Sequence, residues 1–439
     1  MAGSARRALS PAEAASRVRS GDTLGIPLGP GQPVAFLHAL GERDDLRSLT
    51  VFSGLLLDFY PLFTRAGVRL LSGFFGPVER ALLAAGHDVQ FVPADFRRFS
   101  RFARQLSPRV MATAAAPPDA DGWLSLSLHA GATVEELQLC GRDPERLLVV
   151  EVNPQLPRTR GLPPEHPHAL RLAEVDVLVE SDRAVPVLPE QEPNEIEIRI
   201  AEHASRFIAD GSTLQTGIGG VPNQIARRLA EGLGGDYGIH SEMFTDGLWA
   251  LHRAGKVTNR KGIFDGFSVA TFALGSRELY RWLDGNDEVR FLPVELVNDP
   301  ARISRNRRMV SINGALSIDL LGQVVADRIG RRQHSGIGGH EDFVTGAALS
   351  DGGRSLLCLP STATTPAGRV SRIVAAFAPG TSVTTPRHQI DVVVTEHGAA
   401  ELAGLTCEAR AEALVAIAHP DVREALRAEK ELPLLPSPS

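Results

Sequence analysis

Cysteine and the larger aromatic residues are scarce in this chain of 439 residues. It contains three cysteines, three tryptophans and three tyrosines, and aromatic residues make up only 5% of the whole. Cys140, Cys358 and Cys407 lack metal-ligand spacing and are too few for a disulfide framework, so we expect a reducing compartment. Cys358 lies in an apolar run at 355–360 and is expected to be a buried core thiol rather than a nucleophile.

Long apolar runs and an excess of positive charge are also absent. No run approaches the ~20 apolar residues needed to span a bilayer, and the first ten residues show no apolar signal core. The net charge is −6, and the arginine-rich stretches at 97–98, 305–308 and 331–332 are short, so we expect them to be solvated faces. These features predict a soluble, cytoplasmic protein that binds neither membrane nor nucleic acid.

The common nucleotide motifs are incomplete. No Walker A sequence occurs, which argues against an ATP-driven ligase that uses a P-loop. Gly217-x-Gly219 resembles the start of a dinucleotide-binding loop, and an acidic residue follows 25 positions after Gly217. However, Pro222 occupies the third glycine position, where close packing of a helix requires glycine. A dehydrogenase is therefore a weak alternative.

Metal-site signatures are incomplete as well. His240-x-Glu242 is also found in zinc deaminases, yet no P-C-x-x-C follows it. Neither His334 nor His340 has a second histidine at metal-ligand spacing. We therefore predict no metal site, and we interpret His240, His340 and His397 as structural hydrogen-bonding groups.

One order of elements occurs twice along the chain. A capped helix from Ser10, a strand at 23–26, a glycine and proline loop and a second helix are followed by the same succession beginning at Asn194. The residues ASR at 15–17 recur at 204–206, an offset of 189. Alternating strands and helices are typical of mainly parallel sheets. We therefore predict an α/β fold with two related domains, at 1–185 and 194–431, and a disordered tail at 432–439.

Glu242 has the strongest chemical context in the chain. It follows a short apolar segment at 237–239, and a helical pattern begins at Gly247. Side chains at the carboxyl ends of strands in open α/β sheets face the ligand crevice, and amides of a glycine turn before a helix attract anions. Glu242 is either a cap of the following helix or a carboxylate nucleophile beside amide donors, as acyl transfer requires.

Ten segments in order resemble those of one enzyme family. They are GIGGVPNQIA (217–226), HSEMFTDG (240–247), GKVTN (255–259), VNDP (297–300), MVSINGAL (309–316), SGIGGHEDF (335–343), LPSTA (359–363), SRIV (371–374), VVTEHG (393–398) and IAHPD (417–421). Together they closely resemble the acetyl-CoA hydrolase/transferase family, in particular its 4-hydroxybutyrate CoA-transferase branch. The resemblance covers nearly the whole chain and implies two CoA-transferase-type α/β domains with the active site in the cleft between them.

The resemblance also implies a function. A CoA-transferase of this kind works by a ping-pong mechanism, in which Glu242 would form a glutamyl anhydride and then a glutamyl-CoA thioester. Coenzyme A would be a substrate rather than a resident cofactor, and the other partners would be small carboxylic acids. A homodimer or higher homo-oligomer is expected on the same ground.

The resemblance assigns roles to individual residues. Glu242 would be the nucleophile, Asn298 would steady its carboxylate, and Gly336 would present its amide to the oxyanion. The residues expected to contact CoA are Gly217, Ile218, Gly219, Gly220, Val221, Gly336, Gly338 and Gly339. Residues 29–32 and 74–76 of the first domain would shape the acyl pocket.

The sequence departs from the family pattern in one segment. Many relatives follow the Ser-Thr-Ala segment with a lysine and paired glycines, whereas residues 364–368 here read TTPAG. A basic contact to CoA would therefore be missing, or would come from Arg369 or Arg372.

Two other functions use the same residues. An acyl-CoA hydrolase would share the glutamate and differ only in admitting water to the glutamyl thioester. A non-enzymatic CoA-binding module is disfavoured because Glu242 and both glycine loops are present. The acid itself is not specified by the sequence, so acetate, butyrate, 4-hydroxybutyrate, succinate and itaconate all remain open.

Overall fold

The computed structural model describes residues 8–129, 131–189, 192–366 and 368–430. The tail predicted at 432–439 lies outside these residues. The α-helices in this part of the chain are Pro11–Ala15, Val34–Gly41, Pro77–Ala84, Phe99–Leu106, Val134–Gly141, Glu195–Ser205, Gly220–Glu231, Asp246–Arg253, Arg277–Leu283, Val294–Val297, Pro300–Ile303, His340–Leu349, Cys407–Ala416 and Arg423–Lys430. No helix of the described residues is long and apolar enough to cross a membrane.

The first half of the chain forms a sheet of seven parallel strands. Their order across the sheet is Val89–Phe91, Val68–Ser72, Leu49–Ser53, Thr23–Gly25, Val110–Ala115, Leu147–Val152 and Val177–Glu180. Buried aliphatic residues dominate the central strands, and all six residues of Val110–Ala115 are buried. Strands buried on both faces are the pattern expected of a parallel sheet covered by helices.

The second half forms a sheet of six strands. Their order is Gly238–Ile239, Thr213–Thr216, Met309–Gly314, Arg354–Cys358, Val392–Thr395 and Gly398–Glu401. The pairings are parallel except for the last, in which two strands form an antiparallel hairpin. Carboxyl ends of the parallel strands therefore meet at one edge, where the loops after residues 216, 314, 358 and 395 lie.

Smaller strands complete the architecture. They form the pairs Trp123–Ser125 with Ala169–Arg171, Met243–Phe244 with Phe272–Ala273, Ser268–Ala270 with Val289–Phe291, Arg328–Ile329 with Arg332–Gln333, and Thr362–Thr365 with Gly368–Ser371, and one three-stranded group of Ser317–Asp319, Val324–Val325 and Ile373–Val374. The Met243–Phe244 pair begins directly after Glu242 and holds that part of the chain in place.

The two large sheets share an order of strands. In each, the second strand lies on one side of the first strand, and three later strands follow in chain order on its other side. These three are Val110–Ala115, Leu147–Val152 and Val177–Glu180 in the first sheet, and Met309–Gly314, Arg354–Cys358 and Val392–Thr395 in the second. The first sheet differs by two further strands, Val68–Ser72 and Val89–Phe91, added at the edge beyond its second strand. The predicted fold class, a mainly parallel α/β architecture, is confirmed, whereas the predicted domain limits stay a prediction.

Capping explains where the opening helix of each half begins. The Ser10 amide donates to the Glu13 carboxylate at 2.8 Å, and the Glu13 amide donates back to Ser10 Oγ at 3.2 Å. Asn194 and Glu197 make the same reciprocal pair. The first helix ends at Ala15, where the Ser16 hydroxyl donates to the Glu13 carbonyl at 2.7 Å.

An apolar cluster joins the two halves of the chain. We call it the interface cluster, and its central side chains are Phe52, Phe96, Phe99, Met243 and Phe272. The ring centroids of Phe96 and Phe99 are 5.5 Å apart, and those of Phe96 and Phe272 are 6.4 Å apart, both edge-to-face. Because Met243 follows Glu242 directly, this shared core fixes the position of the predicted nucleophile relative to both halves.

Candidate active site

Glu242 lies at the carboxyl-end edge of the second sheet, between Gly238–Ile239 and Met243–Phe244. Its own carbonyl accepts the Thr271 amide at 2.9 Å. The preceding Ser241 is fully buried, and its hydroxyl donates to the Thr216 carbonyl at 3.1 Å. Backbone and side-chain bonds on both sides therefore fix the direction in which the Glu242 side chain leaves the chain.

His240 supports the same segment as a neutral group. Its Nε2 lies 2.8 Å from the Val297 carbonyl oxygen, and its Nδ1 lies 2.9 Å from Asn306 Nδ2. Burial lowers its pKa to about 4, so the ring is uncharged at neutral pH. This arrangement agrees with the interpretation of His240 as a structural hydrogen-bonding group.

The Glu242 side chain is half-buried, and protein donors hold its carboxylate. Asn298 Nδ2 donates to Glu242 Oε2 at 2.7 Å, and the Gly339 amide also bonds the carboxylate. Burial raises the pKa of Glu242 to about 8, and the nearby Asp342 charge adds to the rise, while the bonds from Asn298 and Gly339 oppose it. A group with so perturbed a pKa in a cleft is a candidate for chemistry.

Asn298 reaches this site from the end of the short helix Val294–Val297. The backbone amide of Asn298 donates to the Val294 carbonyl at 2.8 Å. Asp299 then caps the next helix, because its carboxylate accepts the Ala301 amide. The side chain is fully buried. The structure therefore brings Asn298 and Glu242 together, although they are 56 residues apart in the chain.

The glycine segment at 336–339 lies between Glu242 and the first half of the chain. A Cβ at Gly339 would overlap the Glu242 carboxylate, and a Cβ at Gly338 would lie 3.7 Å from Glu242 Oε1. Gly338 has a φ of +57°, a conformation that glycine adopts at little cost. Glycine at 338 and 339 thus lets the backbone approach the carboxylate closely.

Gly336 occupies a different part of the same segment. A Cβ there would meet the Gly73 carbonyl oxygen at 2.5 Å and the Phe74 ring at 2.8 Å, both in the first half. The amide that bonds Glu242 belongs to Gly339 instead. The oxyanion role of Gly336 stays a prediction, and Gly339 is the contact that sequence reasoning assigned only to CoA.

The loop at 217–219 has free space beside it. It follows Thr216, which is bonded to Ser241, and it leads into the twelve-residue helix Gly220–Glu231. No atom lies within 4 Å of a Cβ placed at Gly217, and Ile218 is 48% exposed. Gly219 has a φ of +127°. Free space at a helix N-terminus beside Glu242 suits an anionic ligand such as the phosphates of CoA.

Gly220 and Val221 face protein instead. A Cβ at Gly220 would collide with the Glu197 carboxylate, and Val221 packs against the core of the second half. Of the five residues predicted here to contact CoA, Gly217, Ile218 and Gly219 therefore surround the open part of the loop.

Asp342 and Arg97 are site residues that the sequence did not single out. Asp342 is fully buried, and its carboxylate accepts Asn298 Nδ2 at 3.1 Å, the Arg97 amide at 3.2 Å and the Arg97 guanidinium. Arg97 was expected on a solvated face, but only 35% of its side chain is exposed. The sequence feature that could have pointed to Asp342 is the acidic pair Glu341-Asp342, which follows the glycine segment after His340.

Buried carboxyl groups are concentrated at this point. Burial raises the pKa of Asp342 to about 6, although Arg97 lowers it, and raises that of Glu341 to about 7. Glu341 is bonded to Thr385, which also contacts His340 Nε2 at 2.9 Å. The first turn of helix His340–Leu349 thus places negative charge beside Glu242.

The two arginines considered as replacements for the missing lysine differ in their contacts. Arg369 bonds Asp421 and lies 3.3 Å from His419, so its charge is already paired. Arg372 donates to the Ala315 carbonyl at 3.3 Å, while its buried Nε has no hydrogen-bond partner among the described residues. Which residue supplies a basic contact to CoA therefore stays a prediction.

Cys358 has no access to this chemistry. It is buried at the end of strand Arg354–Cys358, and burial raises the pKa of its thiol to about 12. A thiol in that state does not supply a thiolate at neutral pH. The interpretation of Cys358 as a core residue is confirmed by its burial.

Comparison with known proteins identifies the family. Residues 275–430 match the model of the acetyl-CoA hydrolase/transferase C-terminal domain. The succinyl-CoA:cyclohexane-1-carboxylate CoA transferase of Geobacter metallireducens is 38% identical over 95% of this chain and 93% of its own. The 4-hydroxybutyrate coenzyme A transferase of Clostridium kluyveri is 34% identical over 90% of this chain and 93% of its own.

A solved structure agrees over nearly the same length. RipA from Yersinia pestis has a TM-score of 0.86 and 33% identity, with 96% of each chain covered. Whole-length similarity in both sequence and fold accounts for the order of motifs around Glu242. The chain therefore belongs to the acetyl-CoA hydrolase/transferase family and is a CoA-transferase.

Proposed function

We propose that this enzyme moves CoA from an acyl-CoA to a small carboxylic acid by a ping-pong mechanism through Glu242. The observation that carries the proposal is a half-buried carboxylate held by two fixed N–H donors, Asn298 Nδ2 and the Gly339 amide. Both donors lie at the edge of the second sheet where ligands of open α/β folds bind. The open loop at 217–219 provides space for CoA beside them.

The reaction proceeds in two exchanges. Glu242 attacks the thioester carbonyl carbon, the carbon–sulfur bond breaks, and an acyl-glutamyl anhydride forms with release of the CoA thiolate. The thiolate then attacks the glutamyl carbonyl carbon, and the anhydride bond breaks to release the first carboxylate. Glutamyl-CoA results, and an incoming carboxylate reverses both steps without consuming water.

The environment of Glu242 favours this chemistry in its ionised state. A carboxylate with few water contacts loses little solvation when it attacks, and preorganised donors stabilise charge that develops on the carbonyl oxygen. The same burial raises the pKa of Glu242 to about 8, so most of the free enzyme holds the acid form at pH 7. Exclusion of water around the glutamyl thioester also favours transfer over hydrolysis.

Relatives guide the choice of substrate. Their names specify succinyl-CoA with cyclohexane-1-carboxylate in one case and 4-hydroxybutyrate in another. Each of these named acids carries one carboxylate. We therefore propose a monocarboxylic acid as the acceptor.

The test is to trap the intermediate. Incubation with acetyl-CoA and no acceptor should place CoA on Glu242, borohydride should reduce the thioester and inactivate the enzyme, and mass mapping should locate the alcohol on Glu242. Glu242→Ala should lose transfer and adduct while keeping its fold. Glu295→Gln is the matched control, because Glu295 is also a half-buried carboxyl group whose pKa burial raises.

The outcomes separate the three functions. Transfer that requires an added acid supports the proposal, and acetyl-CoA loss at the same rate without acid indicates a hydrolase. Binding of CoA without either reaction indicates a non-enzymatic module. An adduct mapped to Cys358, or an active Glu242→Ala enzyme, contradicts the proposed mechanism.

A further inference from the structure

Arg97 and Asp342 form an ion pair that joins the two halves of the chain at the nucleophile. Arg97 belongs to the first half and lies on the 3-10 turn Phe96–Arg98, whereas Asp342 lies in the first turn of His340–Leu349. The pair is reinforced by two backbone bonds, from the Arg97 amide to Asp342 at 3.2 Å and from the Phe96 amide to the Gly338 carbonyl at 2.9 Å.

The side-chain amide of Asn298 connects this pair to Glu242. Its nitrogen donates to Glu242 Oε2 at 2.7 Å and to Asp342 Oδ2 at 3.1 Å. An NH₂ group has two hydrogens, and here both are directed at carboxylates. The carbonyl oxygen of Asn298 is buried without a hydrogen-bond partner among the described residues.

Asp342 determines which way the Asn298 amide is turned. A flipped amide would place its oxygen against both carboxylates, and the protonated acid form of Glu242 could accommodate that by donating a hydrogen. Asp342 cannot accommodate it as long as Arg97 keeps it ionised, because an ionised carboxylate only accepts hydrogen bonds. The ionised Asp342 therefore requires the NH₂ group on its side, which also presents an N–H to Glu242.

We propose that the Arg97–Asp342 pair is a positioning element that fixes the Asn298 amide toward Glu242 when the first half is docked on the second. Neither side chain needs to touch the substrate for this role. The inference rests on the proposed function, since it concerns how the nucleophile is held. It also assigns a role to the SGIGGHEDF segment that differs from CoA binding.

The charges around Glu242 give the proposal a measurable sign. The groups that face this cluster are Asp342, Glu341 and Asp95, which are acidic, and Arg97, which is basic. Removal of the basic group should raise the apparent pKa of the coupled carboxyl groups, and removal of the Asp342 charge should lower that of Glu242. Opposite shifts from the two partners are not expected of residues that only stabilise the fold.

The experiment follows the rate of glutamyl adduct formation from acetyl-CoA in the whole enzyme across pH. Asp342→Ala should slow it roughly 10- to 100-fold, the scale of one charge-assisted hydrogen bond. Asp342→Asn can both accept from and donate to Asn298, so it no longer dictates the direction of that amide. It should recover only part of the lost rate and move the acidic limb to lower pH. Arg97→Gln should move the limb to higher pH.

Arg98→Gln is the matched control, because Arg98 is the exposed neighbour of Arg97 and contacts Phe102. It should leave both rate and pH profile unchanged. The inference is overturned if Asp342→Ala forms the adduct at the wild-type rate, or if neither partner moves the limb. It is also overturned if Asp342 or Arg97 variants yield less folded protein but the folded fraction forms the adduct at the wild-type rate. That result would show a structural role alone.

The proposed function can fail separately. A wild-type enzyme that turns over without any adduct on Glu242 contradicts the mechanism and removes the basis of the inference. An adduct in the wild type with unaltered variants contradicts the inference and leaves the mechanism in place.

Discussion

At the scale of the residue, Glu242 combines two requirements that oppose each other. Burial makes its carboxylate a better nucleophile once it is ionised, but the same burial makes ionisation more difficult. Asn298 and the Gly339 amide favour the ionised form, whereas Asp342 disfavours it. The balance leaves the pKa of Glu242 near the pH at which the enzyme would work, which is a common arrangement for a catalytic group.

This balance predicts how activity depends on pH. Because the pKa of Glu242 is raised to about 8, the reactive ionised form grows as pH increases toward that value. The kcat/KM for acetyl-CoA should therefore rise about tenfold per pH unit below the pKa and level off above it. Initial rates of CoA release from acetyl-CoA, measured between about pH 5.5 and 9.5, give this profile.

The acceptor acid should not change this rise with pH, because kcat/KM for acetyl-CoA reports the ionisation of the free enzyme. Asp342 and Glu341, with pKa values raised to about 6 and about 7, can broaden the profile through coupling. A profile that is flat from pH 6 to 9 would mean that Glu242 is ionised throughout this range and that burial does not raise its pKa.

At the scale of the element, two glycine segments approach Glu242 in different ways. The segment at 336–339 is packed against protein on both sides, with Gly339 on the carboxylate and Gly336 on Gly73 and Phe74. The loop at 217–219 has free space at Gly217. Substitution in the first segment disturbs structure and chemistry together, so only the second can test CoA contact alone.

Gly217→Ala should therefore weaken CoA thioester binding without destabilising the fold. Its added methyl group meets no protein atom within 4 Å, and the backbone there is not in the left-handed region. A methyl group placed in a ligand's path should raise KM for acetyl-CoA by roughly tenfold. Steady-state kinetics and a urea unfolding curve check the two parts of this expectation.

Gly235→Ala provides the control for that substitution. A Cβ at Gly235 would also be free of close contact, with Lys256 Cδ at 3.7 Å, and its loop precedes the strand Gly238–Ile239 at the opposite end of the sheet. Its KM should equal that of the wild type. Equal values for Gly217→Ala as well would show that CoA does not pass along this loop.

At the scale of the whole molecule, the interface cluster should make the two halves unfold as one cooperative unit. Phe52, Phe96 and Phe99 come from the first half, and Met243 and Phe272 come from the second. Because the cluster adjoins Glu242, loss of packing between the halves should lower both stability and activity.

Phe96→Ala tests this coupling. Phe96 is 4% exposed, so its truncation should cost roughly 3–5 kcal/mol of unfolding free energy. Equilibrium unfolding in urea, with the m-value compared to the wild type, measures the loss. Phe59→Ala is the control, since Phe59 is 51% exposed and should change stability little. A wild-type enzyme that unfolds in two separate transitions would contradict the single-unit description.

Much of the fold could be predicted because its signals are local. The capping pairs at Ser10 and Asn194 and the strand Thr213–Thr216 were readable from short segments, since caps and alternating apolar runs act within a few residues. The short strand Val324–Val325, by contrast, lies outside the large sheets. Sheet membership depends on distant partners, which the local pattern does not contain.

The site shows the same division. Asn298 and Glu242 were expected to be neighbours through the family resemblance, and the structure places them 2.7 Å apart. Arg97 was not expected there, because an arginine beside another arginine in a polar stretch has the pattern of a solvated face. Its partner Asp342 lies 245 residues away, and only the docking of the two halves brings them together.

The two edge strands found only in the first sheet, Val68–Ser72 and Val89–Phe91, have an evolutionary consequence. The chain leaving the first supplies Gly73 and Phe74, and the chain leaving the second supplies Phe96 and Arg97. If both halves descend from one ancestral unit, the half that kept the nucleophile retained the shorter sheet, and the other half gained the edge that contacts it. The two copies would then have diverged by addition of two edge strands to one of them, and not only by loss of the catalytic glutamate from the other. A relative without these strands should hold its glutamate through other contacts.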